Sequence, residues 1–242
     1  MIPTDLDLVA TGDRRALSRL LTALVESPDP GIIEALQPAR DVTGFTGPPG
    51  AGKSTLVDQL IRHELSSGNR PGVVVIDPSS PLTGGALLGD RIRMQNHAGD
   101  EQVFIRSLAT RGKLGGLAAG VGPVLAALAH AGFFPLIVET VGVGQSEIEV
   151  VTVADTVVVV LHPEWGDDVQ AAKAGLLEAA DIVFINKSDL GGAERAAVQL
   201  RTSLEVPILV GSALTGDGVA ELAEAIADHR TQTSARSEPN SA

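Results

Sequence analysis

The sequence predicts an α/β protein: a mostly parallel, doubly wound sheet with helices on both faces and a short N-terminal helical extension. Seven short aliphatic runs recur after residue 40: Val42–Thr46, Val73–Asp77, Val103–Arg106, Phe134–Glu139, Thr156–His162, Ile182–Asn186 and Val206–Val210. They are near-continuous in Val, Ile, Leu and Phe, as strands read when both faces of a sheet are covered. Helical stretches separate them at 53–66, 88–97, 117–131, 168–179, 192–203 and 217–229. Strands alternating with helical crossovers are the signature of a parallel sheet.

Ahead of the first strand, residues 13–27 read as an amphipathic helix. Leu17, Leu20, Leu21 and Leu24 fall on one face, with Arg14, Arg15 and Arg19 off it. Pro28 and Pro30 stop it, and a short helix over Ile32–Leu36 follows, closed by Pro38. The domain reading is therefore a helical extension over 1–39, one nucleotide domain over 40–230, and a polar, disordered tail over 231–242.

Composition excludes several function classes. The chain has 242 residues and a net charge of −12, from 18 Lys and Arg against 30 Asp and Glu. Nucleic-acid binding wants a basic stripe that displaces phosphate counterions, so none is expected. With no cysteine, disulfides, thiolate metal sites and cysteine nucleophiles are excluded. Five Phe, one Trp and no Tyr offer no stacking platform for single strands. The N-terminus is acidic without an apolar core run, and no apolar run approaches the ~20 residues of a membrane span. The expectation is a cytoplasmic protein without a membrane anchor. Glycine is the outlier: 27 in all, eighteen of them between Gly44 and Gly144. Glycine concentrated there means linker, or backbone that comes close to a ligand.

Gly47-Pro48-Pro49-Gly50-Ala51-Gly52-Lys53-Ser54 matches G-x-x-x-x-G-K-[ST] between a predicted strand and a predicted helix. In that setting Gly50, Ala51 and Gly52 turn backbone N–H groups around a polyphosphate, and the helix N-terminus adds partial positive charge. Lys53 reaches the β- and γ-phosphates, the Ser54 hydroxyl reaches a Mg²⁺ ion, and Thr55 adds a bond to the α-phosphate. This is a P-loop NTPase signature.

Asn186-Lys187-Ser188-Asp189 follows an apolar strand and fits N-K-x-D. The Asp189 carboxylate can accept from guanine N1–H and the exocyclic amine. Adenine would face it with an N1 lone pair, and an unpaired buried acceptor costs about 1–3 kcal/mol. The Lys187 stem would cover the base face. Ser212-Ala213-Leu214 follows the last strand and resembles the loop whose backbone N–H meets guanine O6. Phosphate loop, N-K-x-D and S-A-L in this order favour GTP and GDP over adenine nucleotides.

Two acids, Asp77 and Glu139, close aliphatic strands and so lie at the carboxyl edge of the sheet beside the phosphate loop. Carboxylates there suit Mg²⁺. Gly-rich stretches follow each acid, Gly84-Gly85 to Gly89 after Asp77 and Gly142-Val143-Gly144-Gln145 after Glu139. The strand Val103–Arg106, lying between the two acidic strands in sequence, keeps all neighbours parallel. That arrangement marks the class holding signal-recognition and metallochaperone GTPases.

These stretches, together with Gly89-Asp90-Arg91-Ile92-Arg93-Met94, Phe104 to Gly112, Glu139 to Glu147 and Gly166 to Gln170, resemble the MeaB/ArgK-type GTPases over about residues 6–230. Those are chaperones of adenosylcobalamin-dependent acyl-CoA mutases. The resemblance implies that Asp90 joins Lys53, Ser54, Asp77 and Glu139 in serving phosphate and Mg²⁺. It implies a coupling loop over 163–173, with Arg93 and Lys173 stabilising transition-state charge. It implies a B12-dependent acyl-CoA mutase as partner and admits a cobalamin adenosyltransferase, with no cobalamin site on this chain. The sequence stops soon after Arg230, so the family's C-terminal dimer arm is expected to be missing, and a homodimer stays open. Where a water-orienting Gln would follow Gly142, the sequence has Val143, so weak intrinsic hydrolysis is expected. The alternatives are a small-molecule kinase, which would need a lid and an acceptor site, and another metallochaperone-type GTPase, which would want Cys/His clusters.

Overall fold

The computed structural model describes residues 4–77, 97, 99–109, 117–140, 150–163 and 175–237. In chain order the elements are α1 (Thr4–Ala10), α2 (Arg14–Glu26), α3 (Pro30–Ala35), β1 (Val42–Thr46), α4 (Lys53–Ser66), β2 (Gly72–Asp77) and β3 (Phe104–Ala109). They continue with α5 (Leu117–His130), β4 (Leu136–Thr140), β5 (Thr156–Leu161), β6 (Ile182–Ile185), α6 (Ala193–Arg201), β7 (Ile208–Val210) and α7 (Val219–Ser237).

All seven predicted strands form, in one sheet of order β3-β2-β4-β1-β5-β6-β7. Every neighbouring pair is parallel. The near-continuous apolar runs have the expected consequence: β1, β2, β4, β5 and β6 are buried along their whole length. Successive side chains still point to opposite faces. Val74 and Ile76 join one apolar cluster with α2 and α5, while Val73 and Val75 join another with α4 and α7. The strand expected between the acidic strands in sequence lies at the sheet edge outside β2, and the pairing stays parallel.

Strand limits move by a few residues. The run expected from Phe134 starts its strand at Leu136, because Phe134 is engaged in an antiparallel bridge with Arg70 just before Pro135. The helix expected at 88–97 lies outside the described residues except for His97, and so does the first part of that at 168–179; residues 175–178 are helical.

Helix α2 is part of the core, and Ile32 and Ile33 of α3 pack against it half-buried. Asp13 caps α2 by accepting from Arg15 N at 2.9 Å and Ala16 N at 2.8 Å. The Ala16 amide, with that of Arg15 and nearby arginines, holds the Asp13 carboxyl below its usual range. Leu17, Leu20, Leu21 and Leu24 then share a cluster with Val42, Val74, Ile76 and Leu125. The helix Thr4–Ala10 has no counterpart in the sequence reading. It is too short for a visible period, and Gly12, at φ +88°, turns the chain out of it.

At the other end, α7 runs through Ser237, so residues 231–237 are helical and not the tail expected there. Thr231 and Thr233 return hydroxyl bonds to Ala227 O and His229 O, and the first proline beyond the polar stretch is Pro239. The helix is pinned to the sheet's lower edge by His229. Its Nδ1 lies 2.9 Å from Thr156 Oγ1 and its Nε2 3.3 Å from Asp181, whose other oxygen accepts Val157 N. No helix of the described residues is long and apolar enough to cross a membrane.

If α2 is core, Leu20→Ala should cost about 2–5 kcal/mol in urea-denaturation experiments, the usual range for emptying a buried leucine site. A detachable extension would leave the global midpoint unchanged.

Candidate nucleotide site

The strand order reverses around β1. From it the chain runs out to β2 and β3, then returns through β4 and continues to β5 on the other side. Ligands in open α/β sheets bind at the carboxyl ends of strands at such a point, and the loop 47–52 leaves β1 there. Two glycines make its path possible. A Cβ on Gly47 would fall 2.1 Å from Val160 O on β5. One on Gly52 would fall 2.2 Å from Asn186 Nδ2, and Gly52 holds φ at +92°. With glycine as its N-cap, α4 has no side-chain cap, so its first amides stay available to an anion.

Lys53 begins α4 and is buried. Its Nζ donates to Gly47 O at 2.6 Å and Pro48 O at 3.0 Å, which folds the ammonium back over the loop. Ser54 Oγ donates to Glu139 Oε1 at 2.5 Å, both side chains buried. Glu139 stands on β4, level with Phe45 of β1 and Val75 of β2. Asp77 ends β2, the strand next to β4, and is 1% exposed. A buried ammonium, a hydroxyl and two buried carboxylates therefore come from the start of α4, from β2 and from β4. Charged groups are kept dry only where partners offset desolvation. Thr140 adds a buried bond from its hydroxyl to Phe45 O at 3.3 Å. Asp90, Arg93 and Lys173 lie outside the described residues, as do Gly142, Gln145 and all of 163–173 but Pro163.

The base end is built from β6 and β7. Asn186 is buried, and its amide joins two loops: Nδ2 donates to Ala51 O at 2.7 Å and Oδ1 accepts Ala213 N at 2.8 Å. One side chain thus ties the phosphate loop to the S-A-L loop. Lys187 adopts φ +63°, turning the chain so that Ser188 N reaches Gly211 O at 3.0 Å. Asp189 is exposed, with Oδ1 accepting Ser212 Oγ at 2.5 Å; Ser212 is fully buried. A carboxylate held at one oxygen and open at its outer side can accept a pair of donors from a base. Leu214 is 76% exposed at the rim. Thr55, half-buried in the first turn of α4, stands beside the loop.

Sequence reasoning missed Gln59. Its Nε2 donates to Ala213 O at 3.1 Å, so α4 supports the S-A-L loop from below. The only signal was a polar pair, Asp58-Gln59, between the apolar pairs Leu56-Val57 and Leu60-Ile61. Among the described residues, no group of three or more His, Asp or Glu side chains gathers as a metal site. A Mg²⁺ held through one or two carboxylates, waters and substrate phosphates requires none.

An uncapped, lysine-bearing loop at the switch point, with a carboxylate-bearing base loop on the next strands, defines a P-loop GTPase. Residues 17–240 match the family of methylmalonyl-CoA mutase-associated GTPases, MeaB, and the chain belongs to that family. GTPase ArgK of Escherichia coli K12 is 36% identical over 247 residues, covering 93% of this chain and 74% of that protein. A fused isobutyryl-CoA mutase of Cupriavidus metallidurans is 44% identical over 203 residues, which are 80% of this chain and 18% of that protein. Among solved structures, one described as an LAO/AO transport system kinase superposes with a TM-score of 0.75 at 27% identity, covering 97% of this chain and 76% of that one. HypB from Helicobacter pylori shares the fold, with a TM-score of 0.60 at 18% identity over 94% of this chain and 95% of that one.

Asn186→Ala should leave Ala51 C=O and Ala213 N–H without their partner, at roughly 1–3 kcal/mol each. The expected outcome is a lower urea midpoint together with weaker GDP binding by fluorescence titration. Full GDP affinity in the variant would refute the joining role.

Proposed function

We propose that this GTPase acts as a chaperone of a B12-dependent acyl-CoA mutase, gating cobalamin loading and protecting or reactivating the loaded enzyme. The observation that carries the partner is the relative from Cupriavidus metallidurans, in which the segment similar to this chain is one part of a protein named as a fused mutase. The family description names a mutase of the same chemical kind.

The chemistry is attack of water on the γ-phosphorus of GTP, giving GDP and phosphate. Little covalent work falls to the protein, so positioning and charge carry the rate. The amides of Gly50, Ala51 and Gly52 and the first turn of α4 cradle the phosphates. Lys53, now resting on Gly47 O and Pro48 O, turns to the β- and γ-phosphates when nucleotide replaces those carbonyls. Thr55 binds the α-phosphate. The Ser54 hydroxyl and the Glu139 and Asp77 carboxylates would hold a Mg²⁺ ion, which would supply charge neutralisation to the phosphates. By family resemblance Asp90 joins that set, and Arg93 and Lys173 supply transition-state charge. Asp189 reads guanine, Lys187 covers its face, and the 212–214 loop closes the O6 side.

Val143 stands where a water-orienting Gln would be, so isolated turnover is slow and the partner completes the site. Adding the mutase should raise GTP hydrolysis at least tenfold in a phosphate-release assay; an unchanged rate would end the chaperone reading. Lys53→Ala should abolish turnover. Asp189→Asn should weaken GTP binding by ten- to a hundredfold, on the order of 1–3 kcal/mol for unmatched polar groups. The same variant should gain xanthosine triphosphate, whose C2 carbonyl accepts the Asn amide.

A further inference from the structure

Asp58 and His97 lie outside the nucleotide site, and none of the roles above uses them. Both are buried, each 8% exposed, and His97 Nε2 lies 2.9 Å from Asp58 Oδ1. The second oxygen of Asp58 faces Arg62, with Nε at 3.1 Å and Nη2 at 3.0 Å. The Arg62 side chain is half exposed, and an exposed pair of this kind contributes little fixed geometry. His97 is the member that holds Asp58 from inside.

The pair joins two units that carry the catalytic groups. Asp58 sits one helical turn beyond Ser54 on α4, so the two share a face. His97 begins the approach to β3: Asp100 N bonds His97 O, and Phe104 opens the strand. β3 pairs with β2 residue for residue up to Asp77, which lies opposite Ala109. The bond between Asp58 and His97 therefore links the helix bearing Lys53 and Ser54 to the edge pair of strands bearing Asp77.

Apolar contact alone does not set that register. Leu56, Val57, Leu60 and Ile61 of α4 meet Val73, Val75 and Val103 in one cluster, and hydrophobic attraction is non-directional. A helix can slide or rotate slightly over aliphatic side chains at small cost. A buried carboxylate and imidazole cannot separate without leaving a desolvated polar group unpaired. Such pairs are best attested as devices of registry.

We propose that His97 is a positioning residue for GTP hydrolysis: through Asp58 it fixes α4 against β2 and β3, and so sets Ser54 and Lys53 relative to Asp77. This rests on the roles proposed for Lys53, Ser54 and Asp77. It predicts an effect on the chemical step greater than on nucleotide binding, because the P-loop and base loop are joined to each other by Asn186, which lies off α4.

Two polar substitutions test it without emptying the site. In His97→Gln the amide nitrogen stands as many bonds from Cα as Nε2 does. In His97→Asn it stops one bond short. His97→Gln should keep kcat within about threefold of the parent, whereas His97→Asn should lower it by ten- to a hundredfold, the scale of a misplacement of about 1 Å. The KM for GTP and the GDP Kd should move by less than about threefold in both. Equal kcat for parent and His97→Asn, or equal loss in both variants, would overturn the positioning role, as would a fall confined to nucleotide affinity. Asp58→Asn keeps an acceptor oxygen and should behave like His97→Gln; a large kcat loss there also counts against the proposal. Lys53→Ala runs alongside. If Lys53→Ala is inactive while His97→Asn is fully active, the clasp fails alone; if Lys53→Ala hydrolyses GTP normally, the site assignment fails and takes the clasp with it.

Discussion

The nucleotide site depends on how closely the loop after β1 can lie against the strands beside it. At Gly47 the backbone meets Val160 O, and at Gly52 it meets the Asn186 amide, with no room for a Cβ at either point. That closeness lets one buried side chain, Asn186, hold Ala51 on one side and Ala213 on the other. The phosphate loop and the base loop come from distant parts of the chain. Their separation is set by the length of one amide group and the absence of two β-carbons.

Helix α4 then distributes this geometry. Its apolar face, Leu56, Val57, Leu60 and Ile61, supplies attraction to the sheet without direction. Its polar contacts supply direction: Ser54 to Glu139, Asp58 to His97, and Gln59 to Ala213 O. Each contact reaches a different strand or loop. Buried polar contacts add less net stability than their number suggests, since desolvation offsets much of their strength. Their consequence is a single arrangement of the helix over the sheet, which a reaction governed by positioning requires.

The charge distribution follows from the same arrangement. An acidic chain concentrates a lysine, a serine and the amides of a helix N-terminus at one sheet edge, and two strands bring carboxylates to it. Anionic phosphate meets the ammonium and amides, and the carboxylates suit a divalent cation. This site needs no broadly basic surface, which reconciles a net charge of −12 with binding a nucleoside triphosphate.

The sequence by itself determined the class of fold and marked the candidate nucleotide loops. Those features are local: an aliphatic run of five residues, a glycine pattern, a Lys-Ser pair, an N-K-x-D. Each is dictated by neighbours within a few residues, and all seven strands and the order of the loops were legible for that reason. What depended on distant contacts was not. The helix Thr4–Ala10, the inclusion of α2 in the core, the run of α7 past Arg230, and the roles of Gln59, Asp58 and His97 are decided by residues tens of positions away. Asn186 shows both sides of the division. Its motif marked it as part of the base-reading loop, while only the folded chain placed its amide between Ala51 and Ala213. Hydrogen bonds over more than a hundred residues leave no period or spacing in the chain, so the tertiary structure alone decided them.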